Sequence, residues 1–276
     1  MAQDQDWLVS LHGGFSYGGG DGVDLAANAQ LINNAHITGG TEERGANAYT
    51  TGIGVSLAAG ATVTNSATGT ILGGAGTDGT LRAANGTGSA GGYVGSNAVL
   101  VNLADGAYHI GDLRANFDLA FDLGILGGNA VVGGAGVVLN GGTLVNGGLI
   151  VGGYNGYQAT QANSINRADA VQFGNQAGTL VVESGFDFIG NVVAVSGVAD
   201  VLEVSGTSTA ALSGIGTQFQ NFEDITFASG AAWTIAGNSG GLAGGTTIPA
   251  SRTPTPSTSP TLPRPRRITS PAPGWC

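Results

Sequence analysis

The chain has no lysine, a single cysteine at its last position, and no proline before residue 249. Only 9% of its 276 residues are charged. Each shortage excludes something. Without a cationic footprint, an acidic body has nothing to hold phosphates, which argues against a nucleic-acid or anionic-membrane partner. Residues 1–248 set 18 acids against four arginines, a net −14, whereas the last 28 positions carry four arginines and no acid. Cys276 alone supports neither an intramolecular disulfide nor a cysteine metal site. Between Leu123 and Asn166 no residue is charged, but Asn129, Asn140, Asn146 and many glycines interrupt the stretch, so no 20-residue membrane span exists. Met1–Asp6 is acidic and polar where an export leader is basic and then apolar. Either the chain is not exported by that route, or it begins inside a longer one.

Glycine is abundant instead, with 52 residues beside 42% apolar content. That glycine usage is incompatible with a helical protein, and the third-residue period of collagen is missing. Apolar pairs such as Val131-Val132 and Val181-Val182 recur too regularly for a disordered linker. Strands separated by glycine turns remain, and they repeat. Leu31-Ile32-Asn33-Asn34-Ala35-His36-Ile37-Thr38-Gly39-Gly40 aligns without a gap on Leu144-Val145-Asn146-Gly147-Gly148-Leu149-Ile150-Val151-Gly152-Gly153. A third copy runs Val63-Thr64-Asn65, takes a small insertion, and closes Ile71-Leu72-Gly73-Gly74. Each copy follows a β-like triplet: Val23-Asp24-Leu25, Val55-Ser56-Leu57 or Val137-Val138-Leu139. Such a unit cannot bury its apolar face alone, so the copies must stack into an all-β solenoid, with Val23, Val55 and Val137 equivalent and inward on one parallel sheet.

In chain order, residues 1–21 hold a possible first strand or N-terminal cover, Trp7-Leu8-Val9-Ser10-Leu11, and a glycine turn. Residues 22–245 form the solenoid, and 246–276 a disordered Pro/Arg/Ser/Thr-rich tail. Val99-Leu100-Val101-Asn102 reads as a degenerate copy of Val55-Ser56-Leu57-Ala58. Phe117, Leu119, Phe121 and Leu123 alternate as core residues with Asp118 and Asp122 outward, and residues 154–169 form a loop or short helix. Asn33, Asn65 and Asn146 share one repeat position, where either a stacked ladder or tolerance of left-handed backbone would explain them; the second is preferred. Phe219, Phe222 and Trp233 cluster where the strand pattern ends, as aromatics closing an open core would. The abrupt change after Ile248 also fits a frameshift, since GC-rich DNA encoding Gly and Ala tends to give Pro, Arg, Ser and Thr out of frame.

The stretch Leu212-Ser213-Gly214-Ile215-Gly216-Thr217-Gln218-Phe219-Gln220-Asn221-Phe222-Glu223-Asp224-Ile225-Thr226-Phe227, continuing to Ile235, resembles a segment common in passenger regions of bacterial autotransporters. So does Gly54–Gly74. The resemblance covers about residues 20–240 and implies a right-handed parallel β-helix at the cell surface, usually a stalk or adhesin, whose partners are surface glycans or receptors on host or neighbouring cells. The chain carries no outer-membrane barrel after the passenger-like part, so it looks like a passenger fragment. The alternatives are a carbohydrate-active β-helix enzyme and a truncated product with no retained role.

No catalytic residue or cofactor is assigned. Gly14-Phe15-Ser16-Tyr17-Gly18 and Gly237-Asn238-Ser239-Gly240-Gly241 fit the nucleophile-elbow pattern, and Gly86-Thr87-Gly88-Ser89-Ala90-Gly91 the dinucleotide pattern, but this much glycine produces such matches by chance and no helix follows them. Gly19-Gly20-Asp21-Gly22-Val23-Asp24 and Gly73-Gly74-Ala75-Gly76-Thr77-Asp78 match the core of calcium-binding nonapeptides, making Asp21, Asp24 and Asp78 the metal candidates. Those arrays share each ion between tandem turns, and these copies are isolated, so solvated turns indifferent to calcium are expected. His36 takes the position of Leu149, a strand-face place. His12 and His109 have no recognisable partner. A polysaccharide-cleaving site would need clustered carboxylates beside a base, for which Asp112, Asp118, Asp122 and Arg114 are the candidates.

Overall fold

The computed structural model describes residues 19–41, 51–76, 87–103, 124–128, 132–155 and 166–238. Among these residues there are strands and no helix. The strands form three parallel sheets of nine, seven and five strands, and each of the first five coils contributes one strand to each sheet. The protein is a parallel β-helix. Sheet 1 stacks Val23–Leu25, Val55–Leu57, Gly92–Val94, Val137–Leu139, Val171–Phe173, Val192–Val193 and Phe219–Gln220, then Ala210–Ile215 and Trp233–Gly237. Sheet 2 stacks Gln30–Asn33, Thr62–Asn65, Val99–Asn102, Thr143–Asn146, Thr179–Val182, Val201–Val204 and Asp224–Phe227. Sheet 3 stacks His36–Thr38, Thr70–Leu72, Gly124–Leu126, Leu149–Val151 and Asp187–Ile189.

The repeat fixes the register. Val23 pairs with Val55, Val55 with Gly92, and Gly92 with Val137, so the three valines share one column of sheet 1 and are buried. Parallel strands enclosed by a solenoid need one apolar residue per strand pointing inward. Sheet 2 supplies Leu31, Val63, Leu100, Leu144, Leu180, Leu202 and Ile225 at one rung. Sheet 3 supplies Ile37, Ile71, Ile125, Ile150 and Phe188. Each such side chain stabilises the stack by roughly 1.5–3 kcal/mol when fully buried. One alignment is corrected: Val99–Asn102 pairs with Thr62–Asn65, and Gly92–Val94 takes the place of Val55–Leu57. Glycine at 92 hid that strand, because the rung valine is missing and Leu100 fills the space beside it. The Trp7–Leu11 strand, the Phe117–Leu123 alternation and the tail lie outside the described residues.

The asparagines are also corrected. Asn33, Asn65, Asn102 and Asn146 occupy one buried column of sheet 2, and none has left-handed backbone; Asn28, Asn97 and Asn221 do. Asn33 Nδ2 donates to Asn65 Oδ1 at 2.8 Å, Asn65 Nδ2 to Asn102 Oδ1 at 2.9 Å, and Asn102 Nδ2 to Asn146 Oδ1 at 2.9 Å. Their second amide hydrogens reach the carbonyls of Thr70, Gly69 and Leu149. An amide carries two donors and an acceptor, so identical amides one strand apart satisfy one another in a dry interior where a lone one would be costly. The ladder stops at Asn146, whose Nδ2 has no partner, because Val182 stands on the next rung.

A second ladder runs along the corner where the chain leaves sheet 3 and re-enters sheet 1. Gly40 donates to Gly20, Gly52 to Gly40, Gly74 to Gly52, Ser89 to Gly74, Gly128 to Ser89, Gly134 to Gly128, Gly153 to Gly134 and Ala168 to Gly153, all between backbone atoms at 2.8–3.0 Å. Exit and entry segments therefore interleave in one file. The approach is so close that a Cβ on Gly74 would stand 2.0 Å from the Gly40 oxygen. The Gly-Gly pairs ending each repeat are this contact.

At the C-terminal end the column residues grow. Phe219 and Phe222 are buried, Phe173 meets Phe222 edge-on at 5.2 Å, Phe188 meets Phe219 edge-on at 5.7 Å, and Trp233 lies 5.8 Å from Phe186. Trp233 Nε1 donates to the Ser205 carbonyl at 2.8 Å, so the ring is held in a fixed place. Ala210–Ile215 adjoins Trp233–Gly237 with a register shift between Leu212 and Ile215, where Gly214 has φ +86°.

Candidate functional site

Of the calcium candidates, Asp21 and Asp24 are neighbours on the first coil. Asp21 lies at the entry corner of the first coil, where its Oδ1 accepts the Ile53 N–H at 2.7 Å and ties the first coil to the second. Desolvation raises its carboxyl above the ordinary aspartate value; the Ile53 hydrogen bond opposes this, and the nearby Asp24 adds to it. Asp24 points outward on sheet 1, and Asp78 lies outside the described residues. Among the described residues no three of His, Cys, Asp and Glu approach as a metal set.

The glycine motifs are absorbed by the fold. Within the dinucleotide-like pattern, Gly88 donates to the Val132 carbonyl and Ser89 to that of Gly74 in the corner ladder, and a strand begins at Gly92. Gly237 ends the last strand of the second elbow pattern, and residues 239–241 lie outside the description, as does the first elbow pattern. His36 is exposed at one edge of sheet 3, on the rung of Thr70, Gly124 and Leu149. His12, His109, Asp112, Arg114, Asp118 and Asp122 lie outside the described residues.

Sequence reasoning missed the buried carboxylates. Asp200 is fully buried and accepts the Gly178 N–H at 2.9 Å and the Val195 N–H at 3.0 Å, so one side chain clamps a turn to the coil before it. Desolvation raises its carboxyl despite those bonds, and Glu223 adds to the shift. Burial also raises Asp169, against a hydrogen bond from Asn191, and Asp187, against the Phe188 N–H. Nothing in local sequence marks Asp200, because the turns it joins are 22 residues apart. Also missed was the pairing of Tyr154 with Arg167: the two form an antiparallel bridge, the guanidinium lies 3.7 Å above the Tyr154 ring, and Nη1 donates to the Gly152 carbonyl.

The outer face of sheet 2 is the most extended regular surface. By alternation with the buried column, Thr62 and Thr64, Val99 and Val101, Thr143 and Val145, and Thr179 and Val181 face outward in paired columns, without a charge until Glu203. Parallel strands in rung-to-rung register keep this face regular. Among the described residues no helix is long and apolar enough to cross a membrane. Comparison with protein-family models, with curated proteins and with solved structures found no match.

Proposed function

We propose that this chain is a non-catalytic segment of a surface-displayed bacterial passenger of the autotransporter kind, serving as a stalk or adhesin. The observation that carries the proposal is the unbroken register of sheet 2 over seven coils, held inside its first four coils by the asparagine ladder and at one corner, from Gly20 to Ala168, by the glycine ladder. At about 4.8 Å per coil the seven rungs make a rod roughly 30 Å long, and coils added at either end lengthen it without changing its cross-section. A spacer requires that geometry. The outer face of sheet 2, uncharged over its first five strands, gives an adhesin a broad surface for neutral glycans or a cell-surface receptor.

The test places the chain between an export leader and an outer-membrane barrel. The expected outcome is display on intact bacteria, where antibody and added protease reach the chain while a periplasmic marker stays protected. Retention of the chain in the periplasm would overturn the proposal. Displayed cells that hold to glycan-coated surfaces identify an adhesin, and cells that do not identify a stalk. Release of oligosaccharides from a polysaccharide panel would replace both with the carbohydrate-active reading.

A further inference from the structure

Among the described strands Tyr93 alone turns an aromatic ring outward; the phenylalanines and Trp233 on the other strands pack in or against the core. It stands in the outer column of sheet 1, between Ser56 on one rung and Val138 on the next, with the exposed Gln172 one rung further. From Ser56 to Gln220 this column carries no charge, although the body of the chain is acidic.

Three successive coils hold the ring in place. Asn140 Nδ2 donates to the Tyr93 hydroxyl at 3.0 Å, the Gln176 N–H donates to Asn140 Oδ1 at 3.3 Å, and the Ser96 hydroxyl donates to Gln176 Oε1. Asn140 is itself fixed through its backbone N–H, which reaches the Val94 carbonyl at 2.8 Å. A tyrosine has only two side-chain torsions, and this one is tethered at its far end, so little freedom remains to be lost when a ligand lies against it. The amides beside it are unspent. Among the described residues the Gln172 side chain makes no hydrogen bond, and the Gln176 Nε2 hydrogens have no acceptor.

We infer that the strip formed by Tyr93, Val138 and Gln172, bordered at the corner by Asn140 and Gln176, binds a neutral saccharide. The inference rests on the adhesin reading and supplies an aromatic contact that the outer face of sheet 2 lacks. A pyranose presents C–H groups on its faces and hydroxyls around its rim. The Tyr93 ring and the Val138 methyls suit the first, and the Gln172 and Gln176 amides, each with two unspent N–H donors, suit the second. Tyr93 and Gln172 stand two rungs apart, about 10 Å, which is the length of a disaccharide unit. With no cation on the strip, an acidic glycan has nothing to offset desolvation of its carboxylate, whereas a neutral one needs no such partner.

Titration of the purified full-length chain with cellohexaose, xylohexaose, mannohexaose and chitohexaose at millimolar concentration, followed by amide NMR, tests this. At least one should saturably shift the Gln172 and Gln176 side-chain amides and the Val138 N–H, and a galacturonate oligomer of the same length should bind about tenfold or more weakly. Tyr93→Ala should weaken binding about tenfold or more, and Tyr93→Phe by less, since the phenyl ring still stacks. Thr38→Ala, at an exposed place on sheet 3, should leave it unchanged. Circular dichroism checks the fold of each variant. No saturable shift with any of the neutral hexasaccharides would overturn the inference, as would equal binding of the galacturonate or full binding by a folded Tyr93→Ala chain. The outcome separates from that of display. Displayed cells that hold to glycans while the purified chain leaves these amides unshifted would keep the adhesin and remove the strip, and saturable binding by a chain retained in the periplasm would do the reverse.

Discussion

Replacing Asn102 with valine separates the energetics of the asparagine ladder from those of the apolar stack. Valine already occupies this column at Val182, so the backbone and the cavity accept its shape. The Asn102 side chain accepts from Asn65 Nδ2 and donates to Asn146 Oδ1 and to the Leu149 carbonyl, at 2.9, 2.9 and 3.1 Å. Three hydrogen bonds at about 1 kcal/mol each set a loss of about 3 kcal/mol, and burying two methyl groups returns about 1. The expected net loss is about 2 kcal/mol. Its partners decide whether the loss grows: Asn65 Nδ2 keeps the Gly69 carbonyl and Asn146 Oδ1 keeps the Gly148 N–H, so neither amide is wholly orphaned. Asn146→Val should cost less, because Asn146 Nδ2 has no bond to lose. Equilibrium denaturation of the full chain by urea, followed by circular dichroism and by tryptophan fluorescence, measures both, and coincidence of the two probes is required because solenoids can unfold in parts. A loss at Asn102 below that at Asn146 would refute the view that the ladder is an energetic unit.

Gly74→Ala would place a Cβ 2.0 Å from the Gly40 oxygen, whereas at Gly206, with φ +95°, nothing lies within 4 Å; Gly206→Ala should cost about 1–2 kcal/mol from backbone strain, and Gly74→Ala clearly more in the same urea titration. Trp233→Ala should destabilise by roughly 3–5 kcal/mol, since the ring is buried and its Nε1 is bonded to Ser205, and an unchanged melt would contradict that burial. Asp21, Asp169, Asp187 and Asp200 are all raised above 3.8, so the folded chain holds protons that the unfolded chain releases; stability is fully present below 3.8 and is lost as pH rises through the raised values. Melting temperature should therefore climb as a neutral solution is acidified, and Asp200→Asn should flatten that climb; a fall on mild acidification would reverse the assigned sign.

The solenoid was legible because its register is written in short-range spacing. A β-triplet, an Asn-containing strand and a Gly-Gly exit recur at offsets that parallel stacking turns into columns, so aligning Val23, Val55 and Val137 in the sequence aligned them in space. The same logic failed at Gly92, where the column residue is glycine and the pattern passed to Val99. It also failed on what the asparagines do. Left-handed turns and buried ladders both favour Asn, and the distinction lies in whether neighbouring coils present the same residue at the same depth. Asn102 was the missing rung: once Val99–Asn102 is placed beside Thr62–Asn65, four asparagines fall in line and mutual amide bonding outweighs a turn preference at any single position. Asp200 was beyond sequence reach for a different reason, since its two N–H donors are set by coil stacking and by no motif of its own. In a solenoid, local spacing determines which residues share a column. The chemistry of each column then depends on its full membership, so one misplaced coil changes the reading of every residue stacked upon it.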